Sequence, residues 1–191
     1  MSKLFIFDIG GVILQNFDIT KDLSNYLNQD LISIYSSAAM QDHYRGLITE
    51  EEFWTLYKKE ANIDLNPKEE LLRMFFSPTI DKDSINIIKS LKSKGYRVVA
   101  GSNIMDAHYQ VGKEMNLFSY FDEVYASHLM HIKKPEEEFF TYILEKENIN
   151  PKDVYFIDDL EENIMGAKNM GINTILFTSA DKLLHDLKQF F

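Results

Sequence analysis

KLFIFDIGGVILQ, residues 3–15, is the stretch that decides the fold of this chain. It begins with a short apolar run of the kind that forms a buried strand, and a single carboxylate, Asp8, follows this run. Gly10 and Gly11 follow, where a second acid or a hydroxyl is expected beside such a carboxylate. The stretch leaves three roles open for Asp8: a nucleophile, a metal ligand for a bound nucleotide, or a residue that ends a strand.

The composition of the whole chain narrows the class of protein. Its 191 residues, 45% of them hydrophobic, suit one domain with a real core. The net charge of −10 opposes broad binding to nucleic acid or to anionic membranes. The absence of cysteine excludes disulfides and thiolate metal sites. Because no apolar run is long enough for a signal peptide or a membrane span, we expect a soluble, cytoplasmic protein, either a monomer or a homodimer.

Strand-like and helical runs alternate from residue 81 onward, which is typical of a parallel sheet covered by helices. We therefore predict an α/β fold, a three-layer doubly wound parallel sheet formed by residues 1–15 and 81–191. Besides KLFIF, the predicted strands lie within 96–103, 121–127, 153–159 and 172–177. The predicted helices lie within 83–94, 106–116, 136–147, 160–170 and 180–189.

Residues 16–80 carry successive amphipathic helical stretches and no strand signal of comparable quality. Thr49 and Glu52 form a capping-box pattern, Gly46 marks a turn, and Pro67 is predicted to start a further helix. We predict that residues 16–80 form a helical cap, inserted after the first strand, that serves as a lid.

Polar side chains follow the predicted strands at the points where these strands end. Ligands bind at the carboxyl edge of a doubly wound sheet, so these side chains are candidates for a common site. Carboxylates, a hydroxyl and an ammonium group together suit a hard cation such as Mg²⁺ and a phosphate. The candidates are Asp8, Ser102, Asn103, Lys133, Lys134, Asp158 and Asp159.

Four short motifs, FDIGG, GSN, KKP and FIDDLEEN, occur in this order along the chain. With the helical insertion between the first two, the set resembles the haloacid dehalogenase-like (HAD) superfamily of hydrolases, and residues 16–80 resemble the small helical cap of its first subclass. The resemblance implies that Asp8 is a nucleophile that forms an aspartyl-phosphate. It implies that Ser102, with Asn103 beside it, binds the phosphoryl group, and that Lys134 pairs with Asp8 and the phosphate.

The resemblance also implies a Mg²⁺ site. By this resemblance, Asp159 is the principal acidic ligand, with Asp158 alongside. Asp8 and the backbone carbonyl of Gly10 are the other ligands that the protein supplies. Asn163 is a candidate to hydrogen-bond the metal ligands and so hold them in place. His131 stands where the family commonly has glycine, which leaves the conformation of that loop open.

Gly10 stands where most phosphatases of the family have an aspartate that acts as general acid and base. The motif DIGGV resembles the corresponding motif in a minority branch of the family that includes the bacterial glucose-1-phosphate phosphatase. Three explanations of the missing aspartate remain. In the first, the leaving group, such as an anomeric oxygen, departs with little help. In the second, a residue of the cap supplies the proton, with His43 beside Arg45 as the candidate for substrate contact. In the third, the protein is a weak or non-catalytic relative with a binding or regulatory role.

Other interpretations apply to single motifs. DIGG also resembles the phosphate-binding hairpin of sugar kinases and actin-like ATPases, but that hairpin needs an antiparallel return strand and two related domains. Asp158 and Asp159 are also suited to the start of the following helix, and Lys133 and Lys134 to a solvated pair. The sequence as a whole predicts a Mg²⁺-dependent phosphomonoester hydrolase for a small phosphorylated metabolite, expected to be a sugar phosphate, with a dehalogenase-type hydrolase as a further alternative.

Overall fold

Five parallel strands form the predicted sheet in the computed structural model of the chain, which describes residues 3–28, 34–64 and 70–191. A separate antiparallel pair, β2 and β3, lies outside this sheet. The strands are β1 (Leu4–Phe7), β2 (Leu14–Gln15), β3 (Thr79–Ile80), β4 (Arg97–Ser102), β5 (Val124–Ala126), β6 (Val154–Asp158) and β7 (Asn173–Leu176).

The strand order of the parallel sheet is β5-β4-β1-β6-β7. The chain begins at the centre with β1, adds β4 and β5 on one side, and then returns to add β6 and β7 on the other. The order therefore reverses at β1, and the carboxyl ends of β1, β4 and β6 border the crevice in which such folds bind ligands.

Helices cover both faces of this sheet and connect its strands. Within the described residues, the helices are α1 (Thr20–Leu27), α2 (Ala38–Tyr44), α3 (Glu50–Glu60), α4 (Leu71–Met74), α5 (Lys82–Ser93), α6 (Asp106–Glu114), α7 (Ser127–Met130), α8 (Glu137–Glu147), α9 (Glu161–Asn169) and α10 (Ala180–Asp186). None of them is both long and apolar enough to span a bilayer.

The side chains of β1 alternate between two apolar cores, as the pleat of a strand requires. Phe5 and Phe7 belong to the core that includes residues of α5 and α10, whereas Leu4 and Ile6 belong to the core that includes residues of α8 and α9. All four side chains are at most 1% exposed. The predicted α/β fold with three layers is therefore confirmed.

Helices α1 to α4, here called the helical segment, lie between β2 and β3. No strand was predicted there, but Thr79 and Ile80 pair with Gln15 and Leu14. This pair closes the segment at its base, and two residues are too few to produce a recognisable strand period. The division into a core and a cap at residues 16–80 stays a prediction, and Pro67 lies outside the described residues.

The start of α3 has the predicted capping box. The Thr49 hydroxyl accepts a hydrogen bond from the Glu52 N–H at 3.2 Å, and the Glu52 carboxylate accepts one from the Thr49 N–H at 2.8 Å. The turn before it needs Gly46, whose φ is +64° and whose missing Cβ would lie 2.4 Å from the carbonyl oxygen of His128. The backbone of this turn therefore packs directly on α7.

Three polar contacts hold the end of α2 against the residues that follow β5. Ser127 Oγ donates to the Tyr44 carbonyl at 2.6 Å, Arg45 forms an ion pair with Glu136, and His131 Nδ1 lies 2.8 Å from the Arg45 carbonyl oxygen. His131 has a φ of +61°, a conformation that favours glycine. The contact with Arg45 gives a physical reason for histidine at this position.

Candidate active site

The predicted site residues converge at the carboxyl edge of the sheet. Asp8 directly follows β1, Ser102 ends β4, and Asp158 ends β6, with Asp159 as the next residue. Lys134 reaches the same place from the loop between α7 and α8. Because the neighbours of β1 in the sheet are β4 and β6, residues far apart in the sequence become neighbours here.

Lys134 is the centre of this arrangement. Its Nζ lies 2.8 Å from Asp8 Oδ1 and 2.7 Å from Asp158 Oδ2, and its side chain is completely buried. The ammonium also lies 5.5 Å from the centroid of the Phe156 ring. Burial alone would lower the pKa of Lys134, but the two carboxylates outweigh burial and raise it. Lys134 is therefore a permanent positive charge beside Asp8.

Asp8 has one occupied and one free carboxylate oxygen. Oδ1 accepts the Lys134 ammonium and the Ile9 N–H, the latter at 2.7 Å, whereas Oδ2 has no hydrogen-bond partner among the described residues. Burial, together with the charges of Asp158 and Asp159, raises the pKa of Asp8 to about 7 although Lys134 opposes the shift. The site thus has more negative charge than its one ammonium neutralises.

The two acids after β6 have different surroundings. Asp158 is fully buried, and its oxygens accept hydrogen bonds from Lys134, from the Leu160 N–H at 2.9 Å, and from Asn163 Nδ2 at 3.0 and 3.1 Å. Asp159 is partly exposed and makes no side-chain hydrogen bond to another described residue. Asp158 therefore fixes Lys134 in place, and Asp159 keeps its oxygens available to a ligand.

The three carboxylates fit a hard divalent cation. Asp8, Asp158 and Asp159 each offer an oxygen, and these atoms lie within 4.8 Å of one another. Oxygen ligands and a deficit of positive charge are what Mg²⁺ requires of a protein site. Burial is the first cause that raises the pKa of Asp8 and of Asp159, and the charge of the neighbouring Asp158 adds to it in both. The part of the Gly10 carbonyl in such a site stays a prediction.

The two glycines of the opening motif differ in their surroundings. A Cβ at Gly11 would lie 2.1 Å from Asp159 Oδ2, and the φ of +73° there also disfavours any side chain. A Cβ at Gly10 would meet the Phe17 ring at 3.6 Å, which is ordinary van der Waals contact. Gly11 therefore lets Asp159 approach the backbone, whereas an aromatic ring borders the place of the missing second acid.

The side chain of Asn103 is hydrogen-bonded to the loop between α7 and α8 that carries Lys134, here called the lysine loop. Its Oδ1 accepts a hydrogen bond from the Lys134 N–H at 2.8 Å, and its Nδ2 donates to the Lys134 carbonyl at 2.9 Å. The side chain of Lys133 donates to the same carbonyl at 3.2 Å. Asn103 thus positions Lys134, while Ser102 at the end of β4 is 3% exposed. Phosphate contact by Ser102 and by Asn103 stays a prediction.

His43 and Arg45 have other partners in the structure. His43 stacks on Phe53, and its Nδ1 lies 3.0 Å from the Ile48 carbonyl oxygen. It lines a cavity of about 560 Å³ together with Asp106 and other residues, none of them from the acidic cluster. Arg45 forms its ion pair with Glu136. Within the described residues neither side chain bonds to the acidic cluster, and their contact with a substrate stays a prediction.

Tyr44, the neighbour of His43, was not among the predicted site residues. Burial is the main cause that raises the pKa of Tyr44 well above its usual value, and the charges of Tyr35, Asp8 and Asp18 add to it. No local pattern indicates this burial, because it depends on how α2 packs on the rest of the fold.

The sequence profile of the haloacid dehalogenase-like hydrolases matches residues 5–177. The chain belongs to this family. The match confirms the resemblance drawn from the four motifs. A crystal structure of a HAD family enzyme from Bacteroides thetaiotaomicron, in complex with magnesium and inorganic phosphate, has a TM-score of 0.76 to this chain at 25% identity and covers 93% of this chain and 95% of that chain.

Two curated relatives of this HAD protein are similar over nearly their whole lengths. The sesquiterpene phosphatase astK of Aspergillus oryzae is 27% identical over 98% of this chain and 95% of its own length. The D-ribitol-5-phosphate phosphatase of Bacteroides thetaiotaomicron is 25% identical over 91% of each protein. The chain spans only 37% of a third relative, the drimenol cyclase drtB of Aspergillus calidoustus, at 26% identity.

Replacement of Asp8 by asparagine is expected to stabilise the metal-free protein above neutral pH. The folded-state pKa of Asp8, about 7, lies above the ordinary value of 3.8, so the folded state is progressively destabilised as the pH rises between these two values. In EDTA, the melting temperature of Asp8→Asn should exceed that of the wild type at pH 8, and the difference should shrink towards pH 5.

Asp122→Asn is the matched control for this measurement. Asp122 lies 2.8 Å from Lys92 Nζ, and this partner lowers the pKa of Asp122 in spite of partial burial. The control variant should be less stable than the wild type at pH 8, where Asp122 is ionised and paired. An Asp8→Asn protein that is also less stable at pH 8 would contradict an excess of negative charge at the site.

Proposed function

We propose that this protein is a Mg²⁺-dependent phosphomonoester hydrolase that acts on a small phosphorylated metabolite, with sugar phosphates as the first class to test. The observation that carries the proposal is the state of Asp8, whose Oδ1 is fixed by Lys134 while Oδ2 is free beside the acidic pair. The phosphatase relatives and the magnesium and phosphate complex of the Bacteroides enzyme support it.

The proposed reaction has two steps at phosphorus. Asp8 Oδ2 forms a bond to phosphorus as the ester P–O bond breaks, and the electron pair of the broken bond goes to the leaving oxygen. That oxygen takes up a proton from water, which gives an aspartyl-phosphate and the free alcohol. Water then attacks the phosphorus of this intermediate, which releases inorganic phosphate and restores the Asp8 carboxylate. Lys134 holds the attacking carboxylate in place, and its positive charge stabilises the charge that develops on the phosphoryl oxygens.

Mg²⁺, when bound, supplies additional positive charge for the phosphate in this acidic site. Asp8 and Asp159 are the proposed carboxylate ligands, with the Gly10 carbonyl as the backbone ligand and Asp158 alongside. A cleft of about 650 Å³ opens beside Asp159 and is also lined by Gly11, Phe17 and Ser179, so it offers space next to the metal ligands. Ser102, buried at the end of β4, is the proposed hydroxyl donor to the phosphoryl group.

The helical segment is the proposed cap. Its contacts with the residues after β5 are made by the end of α2, so the segment lies against the edge of the sheet that carries the acids. In this position the cap excludes water from the aspartyl-phosphate and selects the leaving group. A location in the cytoplasm and a monomeric or homodimeric state stay predictions.

Phosphate release from a panel of sugar phosphates and p-nitrophenyl phosphate tests the proposal. The wild type should release phosphate in the presence of MgCl₂ and not in EDTA, and Asp8→Asn should abolish release because it removes the nucleophile. Asp153→Asn is the matched control, because Asp153 stands directly before β6, at the strand end opposite to Asp158, and pairs with Lys3. This control should keep the wild-type activity.

Other outcomes of this panel would contradict the proposal. Release that survives Asp8→Asn would refute Asp8 as the nucleophile. If magnesium and phosphate raise the melting temperature while no substrate turns over, the protein is a binding or regulatory relative. If the protein releases halide from a 2-haloacid and no phosphate from the panel, it is a dehalogenase-type hydrolase.

Gly11→Ala is expected to weaken Mg²⁺ binding far more than Gly10→Ala. A methyl group at position 11 displaces the Asp159 carboxylate, whose Oδ2 lies 2.1 Å from the added carbon, whereas one at position 10 makes only ordinary contact with Phe17. The Mg²⁺-induced rise in melting temperature should therefore persist in Gly10→Ala and largely disappear in Gly11→Ala. Equal responses of the two variants would show that Asp159 does not hold the metal.

A further inference from the structure

Lys134 is carried by a loop that forms neither a helix nor a strand. The lysine Nζ nevertheless has two close partners, Asp8 Oδ1 at 2.8 Å and Asp158 Oδ2 at 2.7 Å. On the side of the sheet, Asn103 binds both backbone polar groups of Lys134. Because the lysine loop lacks the hydrogen bonds of regular structure, its conformation depends on contacts of this kind with other parts of the fold.

Arg45, which directly follows α2, contacts the lysine loop at both of its ends. Its guanidinium forms an ion pair with Glu136, and its carbonyl accepts a hydrogen bond from His131 Nδ1 at 2.8 Å. The second carboxylate oxygen of Glu136 accepts the Lys133 N–H at 3.3 Å, and the Glu136 N–H donates to the Lys133 carbonyl at 3.0 Å. The contacts of Arg45 therefore lie on both sides of Lys134 along the chain.

The guanidinium of Arg45 is itself held by α2. Its Nη1 donates to the Gln41 carbonyl at 3.1 Å and lies 3.8 Å from Asp42 Oδ1, while its Nη2 donates to Glu136. A planar guanidinium can hold partners in two fixed directions at once, which the ammonium of a lysine cannot do. One rigid group therefore joins α2 to the lysine loop.

A second ion pair joins the helical segment to the helices of the sheet at a different place. Arg73 of α4 lies 2.6 Å from Glu114 of α6, and both side chains are more exposed than those of Arg45 and Glu136. Among the described residues, no hydrogen bond or ion pair links this second pair to the lysine loop. The Arg73 pair thus anchors the helical segment without holding Lys134.

We propose that Arg45 is a positioning residue for Lys134. Through Glu136 and His131 it holds the lysine loop, and the loop in turn holds the ammonium between the two carboxylates. This inference rests on the proposed function, in which Lys134 orients the nucleophile and stabilises the charge on the phosphoryl oxygens. The helical segment then has a second role besides covering the site, because its contact at the end of α2 helps to assemble the charged centre.

Loss of the Arg45 guanidinium should affect the chemical step more than substrate binding. In the proposed mechanism Lys134 acts on the nucleophile and on the phosphoryl group, which all phosphomonoesters share, so the loss should not depend on the leaving group. A displacement of ~1 Å at a reacting group costs about 10²-fold in rate. A residue that contacts the leaving group would instead raise KM, by an amount that differs between substrates.

Steady-state kinetics with MgCl₂, on p-nitrophenyl phosphate and on the sugar phosphates, test this expectation. Because Asn103 and the Arg45 carbonyl still hold the loop in Arg45→Met, kcat should fall by about 10-fold on every substrate of the wild type, with KM little changed. Glu136→Gln should act in the same direction, and the double variant should lose little more, since both changes remove one interaction. Arg73→Met is the matched control and should keep the wild-type kcat.

A second measurement reports on Lys134 itself and does not need turnover. Acetylation of the folded protein with acetic anhydride, followed by mass spectrometry, measures how readily each lysine reacts. The Lys134 side chain is completely buried, so it should react slowly in the wild type and in Arg73→Met, and faster in Arg45→Met. Lys92, which is ion-paired with Asp122, is the internal reference and should react equally in all three proteins.

The two measurements separate the inference from the proposed function. A wild-type kcat together with slow acetylation of Lys134 in Arg45→Met would overturn the inference. A rise in KM that differs between substrates, or an equal loss of kcat in Arg73→Met, would also overturn it. If the wild type hydrolyses no phosphate ester, the proposed function is wrong, and acetylation alone decides whether Arg45 positions Lys134. Glu136→Gln serves for both measurements if Arg45→Met does not fold.

Discussion

The contact of one buried ammonium with two carboxylates is the constraint on which the site depends. Lys134 Nζ joins Asp8, after β1, to Asp158, at the end of the neighbouring strand β6. A charge buried in this way is stable only if its partners are held in place, and here Asn103 and Asn163 hold the lysine loop and Asp158. The strand order brings these elements together, and the charges then determine what the site can bind.

The balance of charge supports the proposed cation site. Three carboxylates surround a single ammonium, and the raised pKa values of Asp8 and Asp159 follow first from burial and then from the charges of the neighbouring acids. A hard cation held by these acids would balance their charge and would favour the ionised form of Asp8 that the proposed mechanism requires. The same acids that make the surroundings unfavourable for the Asp8 carboxylate would thus make the site favourable for the proposed Mg²⁺ and, through it, for a phosphate dianion. The protein's net negative charge acts at longer range and is weakened by salt.

Sequence patterns predicted the sheet and the acidic edge because both depend on local signals. Apolar runs that end in polar residues mark buried strands, and Asp8, Asp158 and Asp159 come directly after such runs. Patterns of this kind did not reveal the pairing of Thr79 with Gln15, the bonds of Asn103 to Lys134, or the position of Tyr44. These features depend on contacts between segments that are distant in the sequence. His131 belongs with them, since its left-handed backbone ends α7 while its side chain contacts the carbonyl of Arg45, 86 residues away.

Chemical trapping of the acyl phosphate tests the central claim, nucleophilic attack by Asp8, most directly. Borohydride reduces an aspartyl-phosphate to homoserine, so the protein is quenched with borohydride during turnover of p-nitrophenyl phosphate with Mg²⁺ and sequenced by mass spectrometry. We expect homoserine at position 8 when substrate is present and unmodified aspartate when it is absent. Steady release of phosphate with position 8 unmodified, or with the label at Asp159 instead, would contradict the account.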